Sequence, residues 1–303
     1  MKNSKNWDAE QLEQTRKSYF NQHFISTLYS FLELKDNMKV LDVGCGTGYY
    51  CRLIAPKVVK GKIIGIDIDN KLIERAKELT KQSYVSYNIG DAYNLDFEDN
   101  SVDFVMCQML LMHLDKPERA IAEMKRILKP GGTIFCTEPD NYSSSLQEGF
   151  FSGLELSLEE QLVEHKINYY RFKGKKKLKL GDHTIGNKLP KLYHQAGFRD
   201  INIRINDIAY YMVPSYEMDF QRRNVENLRK IVNKENIDEL KFYKDIVRRD
   251  VLAGGGSEYL LRKHFSIIDN KNISNCKKAI NQIEQEDYFS CCSGIVYGAK
   301  ATK

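Results

Sequence analysis

Short apolar runs, separated by stretches with helical spacing, constrain this chain more than any other feature. Met38 to Val43, Lys62 to Ile68, Tyr84 to Ile89, Val102 to Met106 and Thr133 to Thr137 are short, β-rich runs that read as buried strands. Between them, Lys71 to Thr80 and Pro117 to Leu128 carry helical patterns, and Pro130-Gly131-Gly132 closes the second. Strands buried on both faces and alternating with helices predict a parallel sheet covered on each side, a doubly wound α/β architecture.

The flanks read differently. From Asp8 to Leu34 the residues Leu12, Phe20, Phe24, Leu28 and Phe31 recur at three- and four-residue steps, so residues 1–34 are expected to form a helical lid. Beyond Glu138 the alternation is diluted. Gly149 to Tyr170 has a helical pattern, Lys173 to Lys179 is a charge run, and Leu189 to Ala196 is a helix stopped by Gly197. Arg199 to Met212 reads as extended, Pro214 to His264 as mainly helical with a break at Gly254-Gly255-Gly256, and Tyr288 to Ala299 as a final strand. The expected organisation is a core of residues 35–213 and 286–303, with a mainly helical insertion, 214–285, covering the substrate side before the last strand.

Composition narrows the class. In 303 residues, 46 Lys+Arg against 41 Asp+Glu give a net charge of +5, too small to predict a nucleic-acid partner. The one dense basic run, Lys173, Lys175, Lys176, Lys177 and Lys179, reads as a contact for RNA phosphates or, more simply, as a solvated loop. The seven Cys are odd in number, lie mostly in apolar runs and lack C-x-x-C spacing, so reduced thiols, no metal site and a cytoplasmic location are expected. No signal-like apolar run opens the sequence and no window of about 18 apolar residues occurs, so no membrane span is expected.

Val40-Leu41-Asp42-Val43-Gly44-Cys45-Gly46-Thr47-Gly48 joins an apolar strand to a helix start. Glycines there let the backbone turn sharply and approach a ligand. The spacing is G-x-G-x-G, not the G-x-G-x-x-G of dinucleotide sites, and Asp42 would repel a pyrophosphate. Asp42 therefore points to a ligand with a cationic group, an ammonium or a sulfonium. Asp67 ends the second strand, where ribose hydroxyls are bound in doubly wound folds, and Asp91 ends the third, within reach of an adenine amino group. Each alone is also a good helix cap; three in succession beside a glycine loop are harder to explain that way.

These landmarks resemble the class I S-adenosylmethionine-dependent methyltransferases, in particular the group that includes ubiquinone/menaquinone-biosynthesis and small-molecule enzymes. The resemblance rests on Val40 to Gly48, Gly65-Ile66-Asp67, Gly90-Asp91-Ala92, and the run from Val102 to Cys107 through Leu111-Met112-His113-Leu114 to Leu128-Lys129-Pro130-Gly131-Gly132. It implies a Rossmann-like, mostly parallel seven-stranded sheet whose last strand is antiparallel, and S-adenosylmethionine as cofactor. Carried over by position, it implies that Gly44, Gly46 and Gly48 line the methionine moiety with Asp42 near its ammonium, that Asp67 binds the ribose, that Asp91 and Ala92 bind the adenine, and that Gln108 lies on the sulfonium side. Tyr19, Cys45 and Ile68 complete the implied cofactor set.

Cys107-Gln108-Met109-Leu110 stands where many nucleobase- and glutamine-amide methyltransferases carry N-P-P-[YF], which disfavours those substrates. His113 and His183 are the candidate general bases, each with a packing or capping histidine as its alternative. The expected acceptor is a small molecule methylated at O, N or S. An RNA or protein acceptor, or a cofactor-binding protein without catalysis, is the alternative.

Overall fold

The computed structural model describes residues 8–18, 22–145, 156–206, 209–233, 237–293 and 295–303. The apolar runs form β1 (Lys39–Val43), β2 (Lys62–Asp67), β3 (Val85–Ile89), β4 (Val102–Gln108) and β5 (Leu128–Pro139), all mutually parallel. They belong to a first unit that comprises the chain up to Pro139, Ile185–Ile208 and Val296–Lys303. There β6 (Arg199–Ile205) and the last strand, β9 (Val296–Thr302), complete a seven-stranded sheet of order β3-β2-β1-β4-β5-β9-β6. β9 runs antiparallel to both β5 and β6, as the resemblance implied.

Strand periodicity sorts the core into two layers. Leu41, Val43, Val105 and Cys107 point to one face, against α5 (Pro117–Ile127) and α8 (Leu189–Gln195). Their neighbours Val40, Phe104 and Met106 point to the other, against α3 (Tyr49–Ile54), α4 (Asn70–Leu79) and α2 (Gln22–Leu32). Alternate residues of one strand thus serve opposite cores, as a period of two requires, each fully buried side chain contributing about 1.5–3 kcal/mol.

The sheet order reverses direction between β1 and β4, both of which start crossovers away from each other. Sheets of this kind take their ligands at such a switch point, outside the carboxyl ends of the strands.

The N-terminal stripe is two helices, α1 (Ala9–Ser18) and α2. Leu28, Phe31 and Leu32 of α2 are buried in the sheet's core, and the helix is followed by Glu33 at φ 54°. Tyr19 and Phe20 lie outside the described residues, as does the side chain of Phe24.

The second unit comprises Asp140–Thr184 and Ala209–Ile295. It contains α6 (Asn141–Ser145), α7 (Leu158–Lys177), α9 (Asp219–Val232), α10 (Ile237–Gly254) and α11 (Glu258–Glu284), with β7 (Ala209–Met212) paired antiparallel to β8 (Ser290–Ser293). In addition to the block expected at 214–285 it takes in residues 140–184, 209–213 and 286–295, all expected in the core. α7 and α10 meet at glycines: a Cβ on Gly174 would fall 1.7 Å from the Asp250 carbonyl oxygen, and one on Gly254 2.0 Å from that of Tyr170. The expected break at Gly254 to Gly256 is the stop of α10, after which Ser257 caps α11.

Two expected extended runs are each divided between sheets. Arg199 to Met212 splits into β6 and β7, and Tyr288 to Ala299 into β8 and β9. Asn206 closes the β6–β9 ladder: its N–H donates to Val296 O at 2.9 Å while its Oδ1 accepts from Val296 N–H at 2.8 Å. The lysine run is not a loop at Lys175 to Lys177, which form the last turn of α7, where positive charge complements the helix dipole. Among the described residues no helix is long and apolar enough to cross a membrane.

Candidate active site

The glycine loop is folded over the end of β2 by backbone bonds. Gly44 N–H and Cys45 N–H both donate to Ile66 O, at 2.8 and 2.9 Å, and Gly46 N–H donates to Asp67 Oδ2 at 2.9 Å. Gly44 and Gly46 hold φ of 70° and 54°, left-handed values that keep their backbone bare of a side chain. Asp67 Oδ1 accepts from Asp69 N–H at 2.9 Å, so two amides fix this carboxylate before any ligand arrives. Beside it Ile68 is 75% exposed, an apolar side chain with nothing to cover it from its own sheet.

Asp42 is buried in β1, two residues before Gly44. Its Oδ2 accepts from the Cys51 thiol at 3.3 Å, whereas Oδ1 has no hydrogen-bond partner among the described residues. Burial pushes its carboxyl up to about 7, with the neighbouring Asp67 charge acting in the same direction and Cys51 and Arg16 against it. A buried acid with an unpartnered oxygen two residues before a glycine loop is suited to a cationic ligand group.

Glu138, at the end of β5, is fully buried and organises the segment that follows β4. Its Oε1 accepts from Leu110 N–H (3.0 Å) and Leu111 N–H (2.7 Å), and its Oε2 from Met112 N–H (3.2 Å). Met109, which starts this turn, has φ 48°, a strained value for a side chain of its size, and its N–H is held by Thr137 O at 2.8 Å. Burial raises the Glu138 carboxyl to about 7 even though the three amides and Arg16 pull it down. The turn carries Leu110 over Gly44 and ends at His113, which is half-buried.

For both acids the pKa is raised, so the folded chain binds more protons than the unfolded chain between about pH 4 and 7. The stability they contribute is therefore complete below the ordinary carboxylate range and is lost as pH rises through about 7, at no more than about 1.4 kcal/mol per pH unit for each group. Denaturant unfolding at pH 5, 6, 7 and 8 should show this fall, and Asp42→Asn should flatten it.

α1 is fastened to the same loop. Glu13, buried, accepts from Thr47 Oγ1 at 2.6 Å and from Arg52 Nη2 at 2.6 Å, and Leu12 lies where a Cβ on Gly46 would meet it. Arg16 Nη1 sits 2.7 Å from Met109 Sδ, and its charge acts on both Asp42 and Glu138.

Of the residues singled out by sequence, Asp42, Gly44, Cys45, Gly46, Gly48, Asp67, Ile68, Asp91, Ala92, Gln108 and His113 all lie in the first unit. Asp91 is exposed and uses Oδ1 to accept from Tyr93 N–H at 2.9 Å, a turn-stabilising bond; Ala92 packs on the core, and Gln108 is half-buried beside Thr137 in the ladder. His183 belongs to the second unit, where its buried ring stacks on Phe172 at 6.3 Å. Glu13, Arg16 and Glu138 were not singled out. The sequence sign of Glu138 is a charged residue near the end of a strand-like run, as Asp42 and Asp67 are near the ends of theirs.

Comparison with known proteins agrees with this geometry. Residues 41–136 match the methyltransferase domain family. The chain is 31% identical over 179 residues to a demethylmenaquinone methyltransferase of Staphylococcus haemolyticus, covering 57% of this chain and 73% of that protein. It is 33% identical over 125 residues to an uncharacterized methyltransferase of Schizosaccharomyces pombe, covering 38% of this chain and 45% of that one. The chain spans about half the length of the first curated relatives it matches. In fold it resembles the YcgJ protein of Bacillus subtilis, with a TM-score of 0.51 at 14% identity over 93% of this chain and 99% of that one. The chain belongs to the class I S-adenosylmethionine-dependent methyltransferases, enzymes whose cofactor is S-adenosylmethionine.

Proposed function

We propose that this protein transfers a methyl group from S-adenosylmethionine to a small-molecule acceptor at O, N or S. The observation that carries the reading is the buried Asp42 with its unpartnered Oδ1, beside the glycine loop at the sheet's switch point. These residues fit the cofactor: Asp42 would hold its ammonium, the turn of Gly44, Gly46 and Gly48 would line its methionine portion, Asp67 would take its ribose hydroxyls, and Ile68 and Ala92 its adenine, with Asp91 at the adenine amino group. Gln108 would face the sulfonium side. The named activity of the staphylococcal relative, on demethylmenaquinone, supports a small organic acceptor.

When bound, the cofactor supplies a methyl carried on a sulfonium, already activated for in-line displacement. Alignment and exclusion of water then remain for the protein. Glu138 holds the turn that bears His113, and His113 is the candidate acceptor of the proton released when a hydroxyl or ammonium is methylated. Incubation with S-adenosylmethionine and a panel of quinones, phenols, amines and thiols should yield S-adenosylhomocysteine with at least one of them. Turnover confined to RNA or protein would contradict the small-molecule reading.

α1 is the proposed lid. Its contacts with the glycine loop are mostly polar, whereas α2 buries Leu28, Phe31 and Leu32 in the core. Segments held by few buried apolar contacts open most readily. Amides of residues 9–18 should therefore exchange more slowly with cofactor bound, while those of residues 28–32 should not respond. Equal exchange of residues 9–18 in the two states would rule out the lid.

A further inference from the structure

We propose that the first unit holds a second binding site, for a soluble phosphate-bearing small molecule, between α2 and the strands β6 and β9. A cavity of about 350 Å³ lies there. That volume is within the range of small-ligand pockets, enough for a phosphate and a modest organic body. Its floor is the ring of Phe31, which is buried against Phe135 at a centroid distance of 6.0 Å.

Two cations stand over this one ring. Arg204 Cζ lies 5.0 Å and Lys300 Nζ 5.2 Å from its centroid. Asn202 and Lys300 are direct partners in the β6–β9 ladder, and Arg204 follows two residues on, so all three side chains project from the same face of the sheet. Elsewhere that face of the sheet is covered by apolar contacts with α2, α3 and α4. Here α2 answers instead with Ser26, Thr27 and Ser30, all lining the cavity.

The charges do not cancel. Lys300 pairs with Glu33 at 2.5 Å, whereas the Arg204 side chain makes no hydrogen bond or ion pair among the described residues and rests on the Phe31 ring. The lining therefore carries one uncompensated positive charge, on a planar fork of five donors beside the hydroxyls of Ser26 and Thr27 and the Asn202 amide, while the Ser30 hydroxyl donates to Ser26 O at 3.2 Å. Glu33, which also lines the cavity, offsets Lys300, so the attraction for an anion centres on Arg204. A guanidinium fork matches paired oxygens of a phosphate or a carboxylate. The additional hydroxyl and amide donors, set around it and not in its plane, favour the tetrahedral group with its further oxygens. None of these residues belongs to the proposed cofactor set, so the inference does not depend on the methyl-transfer reading.

Calorimetry on the full chain at constant ionic strength tests it, with inorganic phosphate and glycerol 3-phosphate as probes and chloride as the reference salt. Both phosphates should bind saturably, glycerol 3-phosphate more tightly. Arg204→Gln should weaken binding at least tenfold, Arg204→Lys by less, and the Ser26→Ala/Thr27→Ala double variant to a measurable degree, all with unchanged affinity for S-adenosylmethionine. Arg204 is exposed, so these variants are expected to fold, which circular dichroism would verify. Binding indistinguishable from chloride, or equal in the wild type and Arg204→Gln, would overturn the proposal. So would binding to vesicles containing phosphatidic acid without binding to glycerol 3-phosphate, since the occupant would then be a lipid headgroup.

Discussion

Asp67→Ala is expected to lower affinity for S-adenosylmethionine tenfold or more while the sheet stays folded. Two ribose hydroxyls donating to an ionised carboxylate are worth about 1.5–3 kcal/mol each, and 1.4 kcal/mol is a factor of ten in affinity. The substitution also removes the acceptor of Gly46 N–H and Asp69 N–H, so the glycine loop loses one of its ties to β2. The other tie, from Gly44 and Cys45 to Ile66 O, is backbone only and survives, which is why the fold should persist. Asp67→Asn keeps an oxygen for one amide but loses the charge, and should fall between the two. Titration of each folded variant with the cofactor measures the effect. An unchanged affinity in Asp67→Ala would remove this residue from the site.

The second large effect is expected at Glu138, and it falls on stability. Alanine would leave the amides of Leu110, Leu111 and Met112 without their acceptor in a place from which the carboxylate is wholly buried. Each unsatisfied buried donor costs about 1–3 kcal/mol, partly relieved where water enters, so a loss of about 3–5 kcal/mol is expected. The strained backbone at Met109 persists only while its surroundings impose it, so the turn should relax as well. Glu138→Gln retains one accepting oxygen and should lose less than half as much. It should also remove the Glu138 share of the decline in stability toward pH 7. Denaturant unfolding followed by circular dichroism separates these outcomes. A change below about 1 kcal/mol in Glu138→Ala would mean that the three amides find other partners.

The parallel core was legible because its signals are local. The short apolar runs of β1 and β4, the glycine spacing after Val43 and the carboxylates at or beside the ends of β1, β2 and β3 are all read within a few residues. What escaped depends on long-range pairing. Glu138 draws its three partners from 26 to 28 residues upstream, and nothing near it in sequence marks them. Glu13 and Arg16 look like the polar side of a solvated helix; Glu13 is instead buried on Thr47 and Arg52, 34 and 39 residues away. Extended segments show the same limit. Periodicity identifies Arg199 to Met212 as strand-like but is silent on which sheet each half joins, a choice made at Asn206 by bonds to Val296.

Calorimetric titration of the full chain with S-adenosylmethionine is the most direct test of the central claim, that the switch point between β1 and β4 is a cofactor site. Saturable one-to-one binding is expected, abolished or weakened at least tenfold in Asp67→Ala and undisturbed in Arg204→Gln. No heat of binding at millimolar cofactor from a folded sample would contradict the account.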